Sequence, residues 1–312
     1  MAIPTLLGIS IITFAIIQLA PGGPLSFMLE TQYDISPEYI LYMEQQLGLD
    51  KPIHIQYIIW LKNILTGNLG RSYISQIPVA TYIGFYWQNT MKLSLTALIV
   101  SLSLSIPLGV ITAVKKDSIL DNVSRIIALL GVSMPWFWTS LMAIYFFAVR
   151  LDWLPVFGAQ TIGVTHPNVI AALIDQLKHM VLPVAVMSFA SMALTTRLVR
   201  ASMLEVLNQE YILTARSKGV KERIVIFKHA LRNAMLPVVT LVGLSIGYLL
   251  SGSTTLETVF AWPGLGRFVV LSTFHRDYPA IMAMTLIVSS MVVITNIIVD
   301  VVYGFLDPRI RY

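Results

Sequence analysis

The sequence predicts an all-α membrane protein built on six transmembrane helices. Three observations carry this expectation: a composition too poor in charge for water, six apolar runs of spanning length, and a lopsided distribution of lysine and arginine. The chain has 312 residues, of which 56% are apolar and only 12% charged. A soluble domain of similar size carries about 25% charged residues. Mean hydropathy is strongly positive. With so few charges, the net +5 fits basic cytoplasmic loops better than a nucleic-acid surface. The absence of cysteine excludes disulfides, thiolate metal sites and cysteine nucleophiles.

The elements follow in order. Residues 1–20 form the first transmembrane helix, since the apolar run from Ala2 to Ala20 approaches the ~20 helical residues that cross a hydrocarbon core. No basic region precedes it and Pro21-Gly22-Gly23-Pro24 ends it, so it reads as an uncleaved anchor rather than a signal peptide. The missing basic residues point to a short or trimmed N-terminus. Residues 21–89 mix Gly, Pro and acids with interrupted apolar patches such as Ile53 to Leu65. They are expected to form an extracytoplasmic insert with one or two short helices. Residues 90–305 hold the five-helix core, on the runs Met91–Val114, Ile126–Val149, Met180–Leu198, Met235–Leu250 and Pro279–Phe305. Backbone groups in lipid must bond internally, so such runs are helices. Residues 306–312 are a cytoplasmic tail.

With the N-terminus inside, the inner segments 115–122, 197–233 and 306–312 hold twelve Lys or Arg in 52 residues, against seven in the 122 residues of the outer segments. That excess sets both termini in the cytoplasm. Prolines 107, 135, 183 and 237 interrupt four of the spans. They read first as bends and second as marks of a pathway, with Trp136 beside Pro135 among the pathway candidates. Ser94, Ser101, Ser103 and Ser105 read first as packing or interhelical bonding and second as pore lining.

Catalytic patterns are poor. No phosphate-binding G-x-x-x-x-G-K-[ST] run is present, so ATP chemistry by that route belongs elsewhere. Gly243-Leu244-Ser245-Ile246-Gly247 matches a nucleophile elbow, yet falls in an expected membrane helix rather than a strand-to-helix turn. Glycines four apart read better as a packing face, with Ser245 also kept as a pathway candidate. His166, His179 and His275 show no metal-ligand spacing. Asp300, the one acid well inside a span, reads either as a functional intramembrane acid or as a side chain reaching the inner headgroups.

Between the fourth and fifth spans lies a polar, basic stretch, Glu210 to Pro237. Ala201 to Lys218 are good helix formers, Gly219 is placed as a left-handed C-cap, and a second helix runs from about Lys221 toward Pro237. Such a hairpin can touch a partner in the cytoplasm while its flanks stay in lipid. An amphipathic headgroup-binding helix and a DNA-binding helix pair are the competing readings. Membrane tethering counts against the second.

Tyr211 to Gly219 followed by His229 to Pro237 resembles the EAA loop of binding-protein-dependent ABC importer permeases. Ala215, Gly219 four residues later and Leu236-Pro237 ending eighteen beyond occupy the signature positions, while Leu213-Thr214-Ala215 replaces the literal Glu-Ala-Ala. Ile3 to Gly8, Ala20 to Pro24, Leu47 to Pro52, Gly67 to Ser72, Glu257 to Arg267 and Leu306 to Arg309 are similar, in the same order, to the first permease subunit of oligopeptide, dipeptide and nickel importers. The resemblance covers nearly the whole chain, except for the few basic residues that such subunits carry before the first span.

The resemblance implies a type I ABC importer permease (MetI-like) fold and a role as one of two homologous membrane subunits importing di- or oligopeptides, or alternatively nickel or another small solute. It implies as partners a sister permease, two cytoplasmic ATPases holding ATP and Mg, and an extracytoplasmic binding protein, in a bacterial or archaeal plasma membrane. Glu210, Tyr211, Thr214, Ala215, Arg216, Lys218 and Gly219 would dock on the ATPase, with Leu236 and Pro237 structural. No cofactor, metal or catalytic residue is expected in this chain. An ion-coupled secondary transporter would need more intramembrane charge and usually more helices.

Overall fold

Helix is the dominant regular structure in the computed structural model, which describes residues 2–19, 38, 45, 48–250 and 252–306. A single antiparallel bridge, Arg71 with Pro78, is the one strand-like pairing among them. The helices are α1 (Ala2–Gln18), α2 (Ile53–Leu65), α3 (Val79–Val114), α4 (Ile119–Ser133), α5 (Trp136–Arg150, π-helical from Ile144), α6 (Val169–Leu207), α7 (Glu210–Ser217), α8 (Glu222–Ala234, π-helical over Val225–Ala230), α9 (Leu236–Leu250), α10 (Thr254–Val259), α11 (Leu265–Phe274) and α12 (Tyr278–Leu306).

Three of these, α3, α6 and α12, are each long and apolar enough to cross a membrane. Two bent pairs, α4 with α5 and α8 with α9, qualify together, and α1 is a shorter apolar helix of 17 residues. The chain is therefore a multi-pass, all-α membrane protein in this structure. The helix carrying the second apolar run starts at Val79 rather than Met91 and has 36 residues. The boundary expected at 89/90 thus falls inside one continuous rod. Within 21–89, the described residues include α2 and the turn segment 66–78.

The third span is not the continuous crossing expected over Ile126–Val149. It breaks between α4 and α5, which meet at 107°. Met134 is pushed to φ −81°, ψ 127° and Pro135 to φ −60°, ψ 136°, as the clash between a proline ring and the preceding residue demands. Pro107 and Pro183 lie inside uninterrupted helices. Pro237 falls in the first turn of α9, where a missing N–H costs little.

Packing explains the core. α3 and α6 run parallel in close contact: Ser188 Oγ donates to the Ala97 carbonyl at 3.0 Å, and a Cβ on Gly109 would sit 2.6 Å from the Cβ of Val199. Ala97, Ser101, Ser105, Gly109 and Ala113, each four apart on α3, are all buried. Small residues at that spacing let two backbones approach, which is how helices associate where lipid offers no hydrophobic drive. Gly131 of α4 sits against Ala193 in the same way, and Gly243 and Gly247 of α9 against Val299 and Thr295 of α12.

One end of the bundle is closed by buried carboxylates in the connections. Glu257 accepts from Thr90 Oγ1 at 2.9 Å and from the Arg267 N–H at 3.1 Å. A Cβ on Gly264 would meet that carboxylate at 2.5 Å, so glycine is required there. Trp262 Nε1 donates to the Asn89 carbonyl at 3.0 Å. Asp277 accepts from Ser72 Oγ and the Tyr73 N–H, fastening segment 66–78 to the start of α12.

Candidate coupling hairpin

The hairpin is built on α6, whose 39 residues carry it beyond the ~20 that hydrocarbon requires. Its exit is anchored by a buried ion pair. Arg200 Nε and Nη2 donate to the two carboxylate oxygens of Asp121 at 2.6 and 2.8 Å. Asp121 is fully buried and also accepts the Asp117 N–H. Ser118 caps α4 by accepting the Asp121 N–H. The first turn of α4 is therefore bonded to the end of α6.

A single helix over Ala201–Lys218 was expected, and the structure interrupts it. α6 ends at Leu207; Asn208 Nδ2 donates to the Leu204 carbonyl at 2.8 Å, and Gln209 is extended at φ −76°, ψ 149°. An asparagine side chain offers the backbone a competing hydrogen bond, which favours a stop. α7 then sets off in a new direction and buries Ile212 completely.

The end of α7 makes the sequence signature intelligible. Gly219 has φ +76°, its N–H donates to the Arg216 carbonyl at 2.9 Å, and the Val220 N–H donates to the Ala215 carbonyl at 3.2 Å. This pair of bonds is the Schellman motif, in which a glycine at C′ accepts the left-handed conformation. Its usual apolar contact joins the residues at C3 and C″, here Ala215 and Val220, both packed on the inner core cluster. The alanine, the glycine and their four-residue spacing are thus one local structure.

Arg216 closes the turn by donating to both oxygens of Glu222, at 3.2 and 2.7 Å. That bond holds the Glu222 carboxyl below its usual range. Both side chains are substantially exposed, so the pair contributes at most about 1 kcal/mol. Asn233 Nδ2 donates to Tyr211 Oη at 2.7 Å, tying α8 to α7. Beneath, Ile212, Val225, Ala230 and Ala234 pack on Val110, Ala113, Val199 and Met203 of α3 and α6. Glu210, Tyr211, Thr214, Arg216, Lys218 and Gly219 are exposed, and Ala215 is half-buried. The hairpin therefore presents a polar ridge on a base keyed to two long helices. Leu236 and Pro237 are exposed in the first turn of α9.

The pathway candidates sit on separate elements, Ser101 and Ser105 on α3, Pro135 and Trp136 at the start of α5 and Ser245 on α9. Ser101 and Ser105 are buried toward α6, and among the described residues their hydroxyls, like that of Thr196, have no hydrogen-bond partner. Packing is the role this geometry favours. Ser245 Oγ donates to the Leu241 carbonyl at 2.7 Å within α9, the ordinary bond of a helical serine. Pro135 and Trp136 mark the α4–α5 break, with Trp136 exposed. The side chain of Asp300 lies outside the described residues.

Sequence reasoning missed the buried acids. Asp121 finds Arg200 across 79 positions and Glu257 finds Thr90 across 167. It also overlooked a carboxylate spacing. Asp175 stands four residues before His179, and its oxygens accept from Thr161 N and Oγ1 at 2.7 Å each, with His166 Nε2 at 3.3 Å. This cluster latches the loop after α5 to the start of α6. Among the described residues no group of three or more ligands could hold a metal ion.

Comparison with known proteins accounts for this architecture. Residues 105–312 match the model of the binding-protein-dependent transport system inner membrane component, and residues 1–107 match its N-terminal counterpart. The oligopeptide transport system permease protein AppB of Bacillus subtilis is 42% identical over 100% of this chain and 97% of its own length. The dipeptide transport system permease protein DppB of Alkalihalophilus pseudofirmus is 40% identical over 99% of this chain and 96% of its own. The protein of that name from Escherichia coli K12 is also 40% identical, over 100% and 96%. Hairpin, packing faces and full-length similarity together mean that the chain belongs to the family of binding-protein-dependent transport system inner membrane components.

Proposed function

We propose that this chain is one of two homologous membrane subunits of an ATP-driven importer of di- or oligopeptides. The observation that carries the reading is the exposed α7–Gly219–α8 ridge on a buried base shared with α3 and α6. The names of the full-length relatives, dipeptide and oligopeptide permeases, support the substrate class.

The chain crosses the membrane six times with both termini in the cytoplasm, counting α1 and each bent pair as one crossing. Two cytoplasmic ATPase subunits bind ATP and Mg and hydrolyse the nucleotide, an extracytoplasmic binding protein delivers the peptide, and the sister permease completes the pathway. Glu210, Tyr211, Thr214, Arg216, Lys218 and Gly219 form the docking ridge, Ala215 and Gly219 set its turn, and Leu236-Pro237 join it to α9. Nucleotide drives transport only if it favours one arrangement of the helices over the other. A ridge keyed to α3 and α6 lets closure of the ATPases bias that choice. This chain contributes position and leverage, with no nucleic-acid contact and no cofactor of its own.

The test is to co-purify the partner binding protein, identify its ligand by mass spectrometry, and reconstitute the assembly in proteoliposomes. ATP-dependent uptake of the identified peptide is expected. A nickel complex as sole ligand would overturn the substrate class, and uptake driven by an ion gradient without ATP would overturn the importer reading.

A further inference from the structure

Beside the hairpin, a cavity of about 590 Å³ opens between α7, α8 and the first turns of α9. Its lining changes character along its length. Lys228 and Arg232, four apart on one face of α8, stand with His229 and the Tyr211 ring at one end, and Leu236 and Val239 of the apolar α9 form the other. From position 228 to 239 the helices rise roughly 16 Å, enough to pass from a headgroup layer into the first acyl carbons.

Electrostatics select the occupant. Arg200 and Arg216 are each paired with a carboxylate, whereas Lys228 and Arg232 form no salt bridge among the described residues. Among the described residues no acid lines the cavity. Tyr211 Oη accepts from Asn233, so its own O–H proton remains to be donated. Two cations and a hydroxyl donor above exposed alkyl groups match a phosphodiester attached to a glycerol and two chains.

We propose that this cavity binds the headgroup of an anionic phospholipid from the cytoplasmic leaflet. Basic pockets beside membrane helices on that face take such headgroups. The lipid fills the seam between the docking ridge and α9, so it supports the same ridge that the proposed function uses. The inference rests on that reading only for the side of the membrane. Because the chain has no cysteine, a single Lys218→Cys labelled from inside or outside intact vesicles tests sidedness separately.

Binding needs no transport. The full chain in neutral detergent is titrated with phosphatidylglycerol or phosphatidylcholine and read by native mass spectrometry. Retention of phosphatidylglycerol over phosphatidylcholine is expected. K228Q/R232Q should weaken phosphatidylglycerol binding about 30-fold at low salt, roughly fivefold for each cation removed. The charge-keeping K228R/R232K and the control K221Q outside the cavity should leave it within about twofold. Undiminished binding by a folded K228Q/R232Q overturns the site. Equal competition by millimolar inorganic phosphate overturns the lipid in favour of a free anion. Loss of ATPase-subunit association by K228Q/R232Q in lipid-free detergent, with lipid binding unchanged, assigns the cavity to a protein partner instead.

Discussion

Gly219 separates two roles that a turn glycine can play. At φ +76° any residue with a Cβ meets a left-handed penalty of about 1–2 kcal/mol, offset by several tenths through a less flexible unfolded chain. Among the described residues nothing lies within 4 Å of a Cβ built there, so size adds no cost against them. Gly219→Ala and Gly219→Phe should therefore loosen the hairpin alike, by about 1 kcal/mol, and Gly219→Asn by less, because asparagine tolerates this region. The Val220 N–H, bonded to the Ala215 carbonyl, reports the change: about 1 kcal/mol is a fivefold loss of hydrogen-exchange protection. Function should rank differently. With a partner surface pressed on the turn, substrate-stimulated ATPase and uptake should survive in Ala, fall in Asn and vanish in Phe. Activity following protection, with Asn best and Phe equal to Ala, would refute docking at this residue. A far larger stability loss in Phe than in Ala would refute the open space.

Asp121→Asn leaves Arg200 facing a neutral, buried partner and should cost about 3–5 kcal/mol, read as a drop in the melting temperature of the detergent-solubilised chain. The double change Asp121→Leu with Arg200→Met should recover part of it. Gly109→Ala puts a methyl 2.6 Å from the Cβ of Val199 and should destabilise by about 1–3 kcal/mol; unchanged stability would mean that α3 and α6 are not in contact there. The Arg216–Glu222 pair predicts a pH effect on the hairpin. Because Arg216 depresses the Glu222 carboxyl, its contribution is present above the unfolded carboxylate pKa and lost as pH falls through the lower folded value. Exchange protection across the turn should fall over that acid window by an amount worth under about 1 kcal/mol, and Glu222→Gln should flatten the dependence.

What the sequence disclosed was local. The Gly219 turn could be read because one glycine interrupts a polar, helix-forming stretch and its bonds join neighbours. The glycine pair 243 and 247 could be read as a packing face because four-residue spacing puts both on one side of a helix. Proline was less informative. Pro107, Pro135 and Pro183 are the same residue in similar apolar surroundings, yet only Pro135 breaks its helix. The ion pair of Asp121 and the bonds of Glu257 were invisible for another reason: their partners lie on different helices, and no spacing rule connects them.

The parallel seam between α3 and α6 has a mechanical consequence. At 39 residues and ~1.5 Å per residue, α6 is a rod of ~58 Å, and its bonds to the neighbouring α3 make it stiffer than a lone helix. Pivoting such a beam about one end by about 10° carries the far end through about 10 Å, wider than the α-carbon cylinder of a helix. A rotation imposed at the hairpin end of α6 would thus be carried to the other end of the rod as displacement, with little lost to bending along the way.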